Sequence, residues 1–195
     1  MPSISVHLKV GYLLSEKLKT NSYEYYLGLI APDSPNLNGF APKKERWEAH
    51  KRSANLKEWR TNLKKFYHAE KKNYPQDFLL GYYLHILTDI VYDDFFYNRI
   101  KEKIIKNGAE KENIHEIMSK DLYNYDFSEY KLIKKILNSK EVSFEINNIS
   151  KELLINYKNK IINTENKSEK SIYTTEKLIL DLTEQVYKEI LEDNI

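Results

Sequence analysis

His85, Asp89 and Asp93 recur at every fourth position of GYYLHILTDIVYDDFFY, residues Gly81 to Tyr97, a stretch that is otherwise apolar and aromatic. In a helix this spacing stacks the three side chains along one face, and Phe78, Gly81, Tyr82, Tyr92 and Phe96 border that same face. The polar stripe therefore points inward. Burying an unpaired charge costs several kcal/mol, so the fold has to supply partners: each other, water or a metal. The plainest arrangement is a His–Asp hydrogen bond buried among tyrosines, since most buried polar groups are simply satisfied.

The rest of the chain reads as all-α. Five glycines and five prolines in 195 residues, with no strongly alternating apolar segments, argue for helices joined by a few turns. A first helix is expected from Ser5 to Leu18, with Val6, Val10, Leu13, Leu14 and Leu18 as its apolar stripe and His7 in its first turn. YYLGLIAPDSPNLNGFAP then breaks at Pro32, Pro35, Gly39 and Pro42, which puts Asp33 in a turn. Pro42 suits the opening of a second helix, KKERWEAHKRSANLKEWRTNLKKFYH, whose inner face carries Trp47, His50, Ala54 and Leu56, joined by Arg46 four residues before His50. The third runs from near Asp77 to Lys106.

Beyond Asn107-Gly108 the segments KENIHEIMSKDLYNY, FSEYKLIKKILNS, INNISKELLINYKNKIINT and TTEKLILDLTEQVYKEILEDN read as amphipathic scaffold helices, with Leu178, Leu182, Val186 and Ile190 as the clearest stripe. Asn163 to Ser171 reads as a solvated loop. The expected organisation is one all-α domain over residues 1–195, with a metal-site half up to about residue 106 and a helical scaffold from about residue 107.

Composition narrows the chemistry. The chain has no cysteine, which excludes disulfides, thiolate nucleophiles and Cys-based zinc sites. Its 31 basic and 29 acidic residues leave a net charge of +2, so the total gives no electrostatic footprint for nucleic acid or an anionic membrane, although local patches remain open. The start, MPSISVHLKVGYLL, lacks the basic leader and apolar run of a signal peptide, and no window is apolar for long enough to span a bilayer. A soluble, cytoplasmic protein is the default expectation.

His7, His50 and His85 each fall on the apolar or aromatic side of a separate predicted helix, so with Asp33 on its turn they can converge on one cation. Neutral imidazole and carboxylate suit zinc when thiolates are absent. His68, among the charges of KKFYHAEKK, reads as a solvated surface residue, as does His115. The sixteen tyrosines select no ligand by themselves.

MPSISVHL at the start, LGLIAPD around Asp33, RWEAH ending at His50 and LLGYYLHILTD from Leu79 to Asp89 occur in the order and approximate spacing of the zinc-dependent phospholipase C family. The first half of the chain resembles that family, which shares its all-helical fold with the S1/P1-type nucleases. The resemblance implies that Asp33, His50, His85 and Asp89 ligate one zinc. It also implies that Asp89 bridges to a second zinc reached by His7, where the family also uses the α-amine of the processed chain; here the chain starts Met1-Pro2, and loss of Met1 restores an amine near His7. The family's third metal takes two histidines and a glutamate downstream of the His-x3-Asp pair, whereas this chain offers only His115 there. Asp93 is a substitute oxygen ligand, or else accepts a hydrogen bond from a tyrosine or from Arg99.

The implied chemistry is phosphoester hydrolysis, since zinc lowers the pKa of a bound water to about 7 and a paired cation polarises the phosphoryl group. Asp33 can accept the proton of the attacking water. Arg46 can clamp a substrate phosphate or bridge to a ligand carboxylate. One or two zinc ions, or other divalent transition metals, and a small phosphoester or phospholipid substrate are the expected cofactor and partner. Two other readings stay open: a non-catalytic, metal-stabilised helical protein whose four ligands close the zinc shell, and a phosphohydrolase of the HD type, which requires an adjacent His-Asp dipeptide that this sequence does not contain.

Overall fold

The computed structural model describes residues 2–146, 148–164, 170–193 and 195, and among them it is all-helical, with one isolated antiparallel bridge between Ile146 and Ile149. The helices are α1 (Ile4–Ser15), α2 (Tyr23–Ile30), α3 (Lys43–Ala49), α4 (Leu56–Glu70), α5 (Gln76–Val91), α6 (Tyr97–Lys106), α7 (Ile114–Asn124), α8 (Tyr130–Leu137), α9 (Lys151–Asn163) and α10 (Glu176–Asp193). A 3-10 turn, Ala31–Asn36, continues α2, and a π-turn, Tyr92–Phe96, joins α5 to α6. The expected Asn163–Ser171 loop lies largely outside the described residues; Asn163 still belongs to α9.

Helices α1, α2 and α5 form the centre. From Ser5 to Gly11 every residue of α1 is buried, and α5 is buried almost throughout its last three turns. Such helices are apolar nearly all round because neighbours cover every face. α4 and α10 pack on α5, α10 also packs on α1, and α8 covers α2. One apolar core runs through both halves of the chain, from Val6 to Ile190.

The closest crossing is that of α2 on α5, and it depends on two glycines. A Cβ at Gly28 would stand 2.1 Å from the carbonyl oxygen of Phe78, and one at Gly81 would stand 2.1 Å from that of Tyr25. Backbone meets backbone there, which only glycine allows. The helix starts are tied as well: Ser22 caps α2 by accepting from the Tyr25 N–H (3.1 Å) and donates to Asp77 at the start of α5 (2.6 Å).

Several boundaries differ from those expected. The charged second helix is two helices, interrupted between Ala49 and Leu56: His50 caps the C-terminus of α3, Lys51 takes a left-handed φ of +50°, and Asn55 caps α4 by accepting from the Glu58 N–H (3.0 Å). Ala54 is consequently exposed, and the tryptophan of the core is Trp59 rather than the half-buried Trp47. The first helix stops at Ser15 instead of Leu18, with Lys19 left-handed at φ +51°. Asp33 sits in a 3-10 turn rather than an open one, since the fixed φ of Pro32 and Pro35 is compatible with that short helix. In the second half, Asp121 of α7 holds the segment before α10: its carboxylate accepts from the N–H groups of Ile172, Tyr173 and Thr174 and from the Thr174 hydroxyl.

Candidate metal centre

His7 from α1, Asp33 from the 3-10 turn, His50 from the end of α3, and His85 and Asp89 from α5 meet in the interior. His7, His85 and Asp89 are wholly buried, His50 is 1% exposed, and the Asp33 side chain keeps 13% of its surface. The His7 and His85 rings stack at 3.7 Å between centroids. His7 Nε2 lies 3.4 Å from Asp89 Oδ1; His50 Nε2 lies 3.5 Å from Asp33 Oδ1 and 3.5 Å from Asp89 Oδ2; His85 Nε2 lies 3.8 Å from Asp89 Oδ2.

Local structure aims these rings. His85 Nδ1 is 2.7 Å from the Leu29 carbonyl, a contact made possible by the glycine crossing of α2 and α5. His50 Nδ1 is 2.8 Å from the Arg46 carbonyl one turn back. A carbonyl only accepts, so each Nδ1 carries a proton, and Nε2 is the ring atom that each histidine turns toward the cluster. The His50 backbone is itself pinned: Trp59 Nε1 donates to its carbonyl at 2.7 Å, and the Tyr82 hydroxyl donates to the Ala49 carbonyl.

The result is a buried cluster of polar atoms short of partners. His50 Nε2 and His85 Nε2 face each other at 3.3 Å, and both nitrogens of His7 and both oxygens of Asp89 are buried with no hydrogen-bond partner. Burial would raise the Asp33 carboxyl, but the His50 contact and the charges of His85, His50 and His7 outweigh it and hold Asp33 below the usual carboxylate range. Asp89 is likewise kept low, against burial, chiefly by His7. Burial, reinforced by His7, pushes His85 down to about 3, whereas the Asp33 contact and the Asp89 charge overcome burial to push His50 up. Two carboxylates held in their charged form, beside a histidine whose charged form burial disfavours, are a donor set that suits a cation. Two overlapping sets, His7–Asp33–His85 and His50–His85–Asp89, each bring three ligand atoms within 4.8 Å of one another. The anchoring of ligating imidazoles through Nδ1–H to carbonyls is the outer-shell pattern typical of metal sites.

Asp93 is not part of the cluster. Its carboxylate meets Arg52 at 2.7 Å, because the π-turn that starts at Tyr92 takes Asp93 off the His85–Asp89 line. Arg52, from the break between α3 and α4, is a partner that the sequence does not point to. His68 is exposed beside Tyr67. Met1, and with it the terminal amine, lies outside the described residues.

A cavity of about 730 Å³ opens onto Asp33. Arg46 lines it, its Nε held by the Ala41 carbonyl (2.9 Å) and its guanidinium over the Phe40 ring, and among the described residues it makes no ion pair. The segment expected to be mere scaffold builds the opposite wall: Met118, Tyr157 and Lys160 come from α7 and α9. Tyr157 is the neighbour the sequence gave no sign of; burial, and after it the Asp33 charge, push its hydroxyl well up. Tyr92, whose hydroxyl is buried without a partner, and exposed His115 also border the cavity. With sixteen tyrosines in the chain, no spacing rule singles out those two.

No helix among the described residues is long and apolar enough to cross a membrane. No protein-family model, curated protein or solved structure matches the chain, so its functional reading rests on this centre alone.

Proposed function

We propose that the chain is a zinc-dependent phosphoester hydrolase resembling phospholipase C, with a centre formed by His7, Asp33, His50, His85 and Asp89. The observation that supports this reading is a buried His/Asp cluster in which both nitrogens of His7 and both oxygens of Asp89 lack hydrogen-bond partners, and whose most accessible member, Asp33, reaches the Arg46 cavity. Bound zinc supplies Lewis acidity, lowering the pKa of a water and polarising a phosphoryl oxygen.

The chain's own groups take the remaining tasks. Asp89 turns its two oxygens to different histidines, Oδ1 to His7 and Oδ2 to His50 and His85, an arrangement suited to serving two cations. Asp33, ionised and partly accessible, is placed to accept a proton from an attacking water. The Arg46 fork presents its terminal nitrogens to phosphoryl oxygens in the cavity. The Tyr92 hydroxyl offers a hydrogen bond from the wall.

The near-complete burial of four of the five side chains favours a second reading, a metal that only holds the helices together. The two separate by experiment. Elemental analysis of protein purified without chelator is expected to find at least one zinc per chain, and less than a tenth of an equivalent refutes both readings. Turnover of phospholipid, nucleotide or nitrophenyl phosphate substrates that disappears in Asp33→Asn, with zinc retained, supports the enzyme. Retained zinc with no turnover on any of them leaves the structural metal.

A further inference from the structure

A second concavity, of about 860 Å³, lies between α3, the break after His50 and α4. Five cations line it, Lys43, Lys44, Lys51, Arg52 and Lys65, with Glu48 as the lining carboxylate. Lys44 reaches Glu48 at 4.0 Å and Arg52 reaches Asp93 at 2.7 Å. Five cations face those two carboxylates and Glu70, whose charge also acts on Lys51, so the groove keeps a positive excess. Lys43, Lys51 and Lys65 make no ion pair among the described residues. The net charge of +2 for the whole chain conceals this concentration.

The cations are held in place before any ligand arrives. Lys43 Nζ sits 4.4 Å from the centre of the Trp47 ring, Lys51 Nζ 4.5 Å from that of Phe66, and the Arg52 guanidinium 4.4 Å from that of Trp59. Aromatic faces attract cations, so the rings fix positions that like-charge repulsion would otherwise spread, and they reduce the ordering cost of binding. A compact ligand of high negative charge complements such a groove, and lysine ammoniums serve as point charges for phosphate.

We propose that this groove is an anion site for a ligand carrying two or more phosphate groups. It is separate from the buried centre and does not depend on a metal there, although Trp47 and Arg52 line both concavities. Two sources offer that chemistry, a soluble polyphosphorylated compound and the headgroups of an anionic lipid.

The test uses the full chain as purified and methylenediphosphonate, a diphosphate analogue that resists hydrolysis. Calorimetric titration is expected to show saturable one-to-one binding that weakens with added salt, is at least tenfold weaker in a Lys43→Met/Lys65→Met double variant, and is unchanged in Arg46→Met. Both lysines are exposed, so the double variant keeps the fold. Flotation with phosphatidylcholine vesicles containing about 5% phosphatidylinositol bisphosphate, whose headgroup carries several phosphates, distinguishes the sources: co-flotation lost in the double variant assigns the headgroup, and diphosphonate binding without co-flotation assigns the soluble ligand. Failure of both probes to bind, or binding that the double variant does not weaken, overturns the proposal. So does diphosphonate binding lost in Arg46→Met alone, which places the anion in the metal cavity instead.

Discussion

Replacing Gly81 by alanine tests how the fold positions the centre. The added Cβ would lie 2.1 Å from the Tyr25 carbonyl oxygen and 2.9 Å from the Leu29 nitrogen, where real Cβ contacts essentially never fall below 3.0 Å. α2 and α5 must therefore part by at least 3.0 − 2.1 = 0.9 Å. Leu29, on the displaced helix, also accepts the His85 Nδ1–H at 2.7 Å, and the same displacement stretches and weakens that bond by up to the full separation. Overpacking costs about 1–3 kcal/mol, and leaving the buried carbonyl and ring nitrogen poorly satisfied adds about 1–3 kcal/mol. The sum, roughly 2–6 kcal/mol, is a large share of a stability that is typically about 5–15 kcal/mol. Urea unfolding of wild type, Gly81→Ala and Gly11→Ala reads it directly. Gly11 is the control, because its Cβ would meet the Leu29 side chain, closest at a terminal methyl, and no backbone atom, and it is expected to lose less than half as much. Metal content should fall in Gly81→Ala and hold in Gly11→Ala. A Gly81→Ala protein within about 0.5 kcal/mol of wild type, the range of an ordinary surface change, refutes the reasoning.

Asp121→Ala leaves three buried or half-buried N–H groups without their acceptor and is expected to cost about 3–5 kcal/mol in urea unfolding; a loss below 1 kcal/mol contradicts the assignment of Asp121 as the tie between α7 and α10. Lys19→Gly, at φ +51° just beyond α1, should raise stability by about 0.5–1 kcal/mol by removing the left-handed cost, and a lowered urea midpoint argues against it. In chelator-treated protein His85 titrates near 3 when folded against 6.5 when unfolded, so the unfolded chain binds more protons across that window. Stability is then fully present above 6.5 and falls as the pH drops toward 3, at up to about 1.4 kcal/mol per pH unit. Near 6.5 the upward-shifted His50 opposes this slope, because there the folded chain binds the extra proton, and at the acid end Asp33 and Asp89, both held low by the fold, add to it. Equal stability at pH 6 and pH 4.5, measured by urea titration, defeats this prediction.

The all-helical fold follows from few glycines and prolines and from 3.6-residue periodicity, signals that are local. The break between α3 and α4 is harder to see because it contains neither glycine nor proline: Lys51 turns left-handed while Tyr82 and Trp59 bond the carbonyls of Ala49 and His50, and both anchors come from outside the helix that ends there. Asn55 is the available sign, a capping residue just before Leu56, Trp59 and Leu63, which recur at helical spacing. His7, Asp33, His50, His85 and Asp89 are legible because histidine and aspartate are conspicuous on inward faces. Asp93 has the same spacing and misleads, since spacing predicts a shared face only while the helix keeps its period. Tyr92 and Tyr157 reach the cavity through packing between distant segments, which no window of sequence contains.

The π-turn at Tyr92–Phe96 divides one rod into two rotational phases. A turn widened by one residue advances everything after it by about 100°, the angle per residue of an α-helix. α5 has no preferred outward face, but α6 does, with only Ile100 and Ile104 buried. The extra residue is thus an indexing device: it lets the upstream helix orient His85 and Asp89 by one set of neighbours while the downstream helix chooses its own side of the molecule. Excising a single residue there would restore a uniform period and swing Ile100 and Ile104 a quarter turn toward water, so the two ends of the rod can drift in sequence independently only as long as that residue stays.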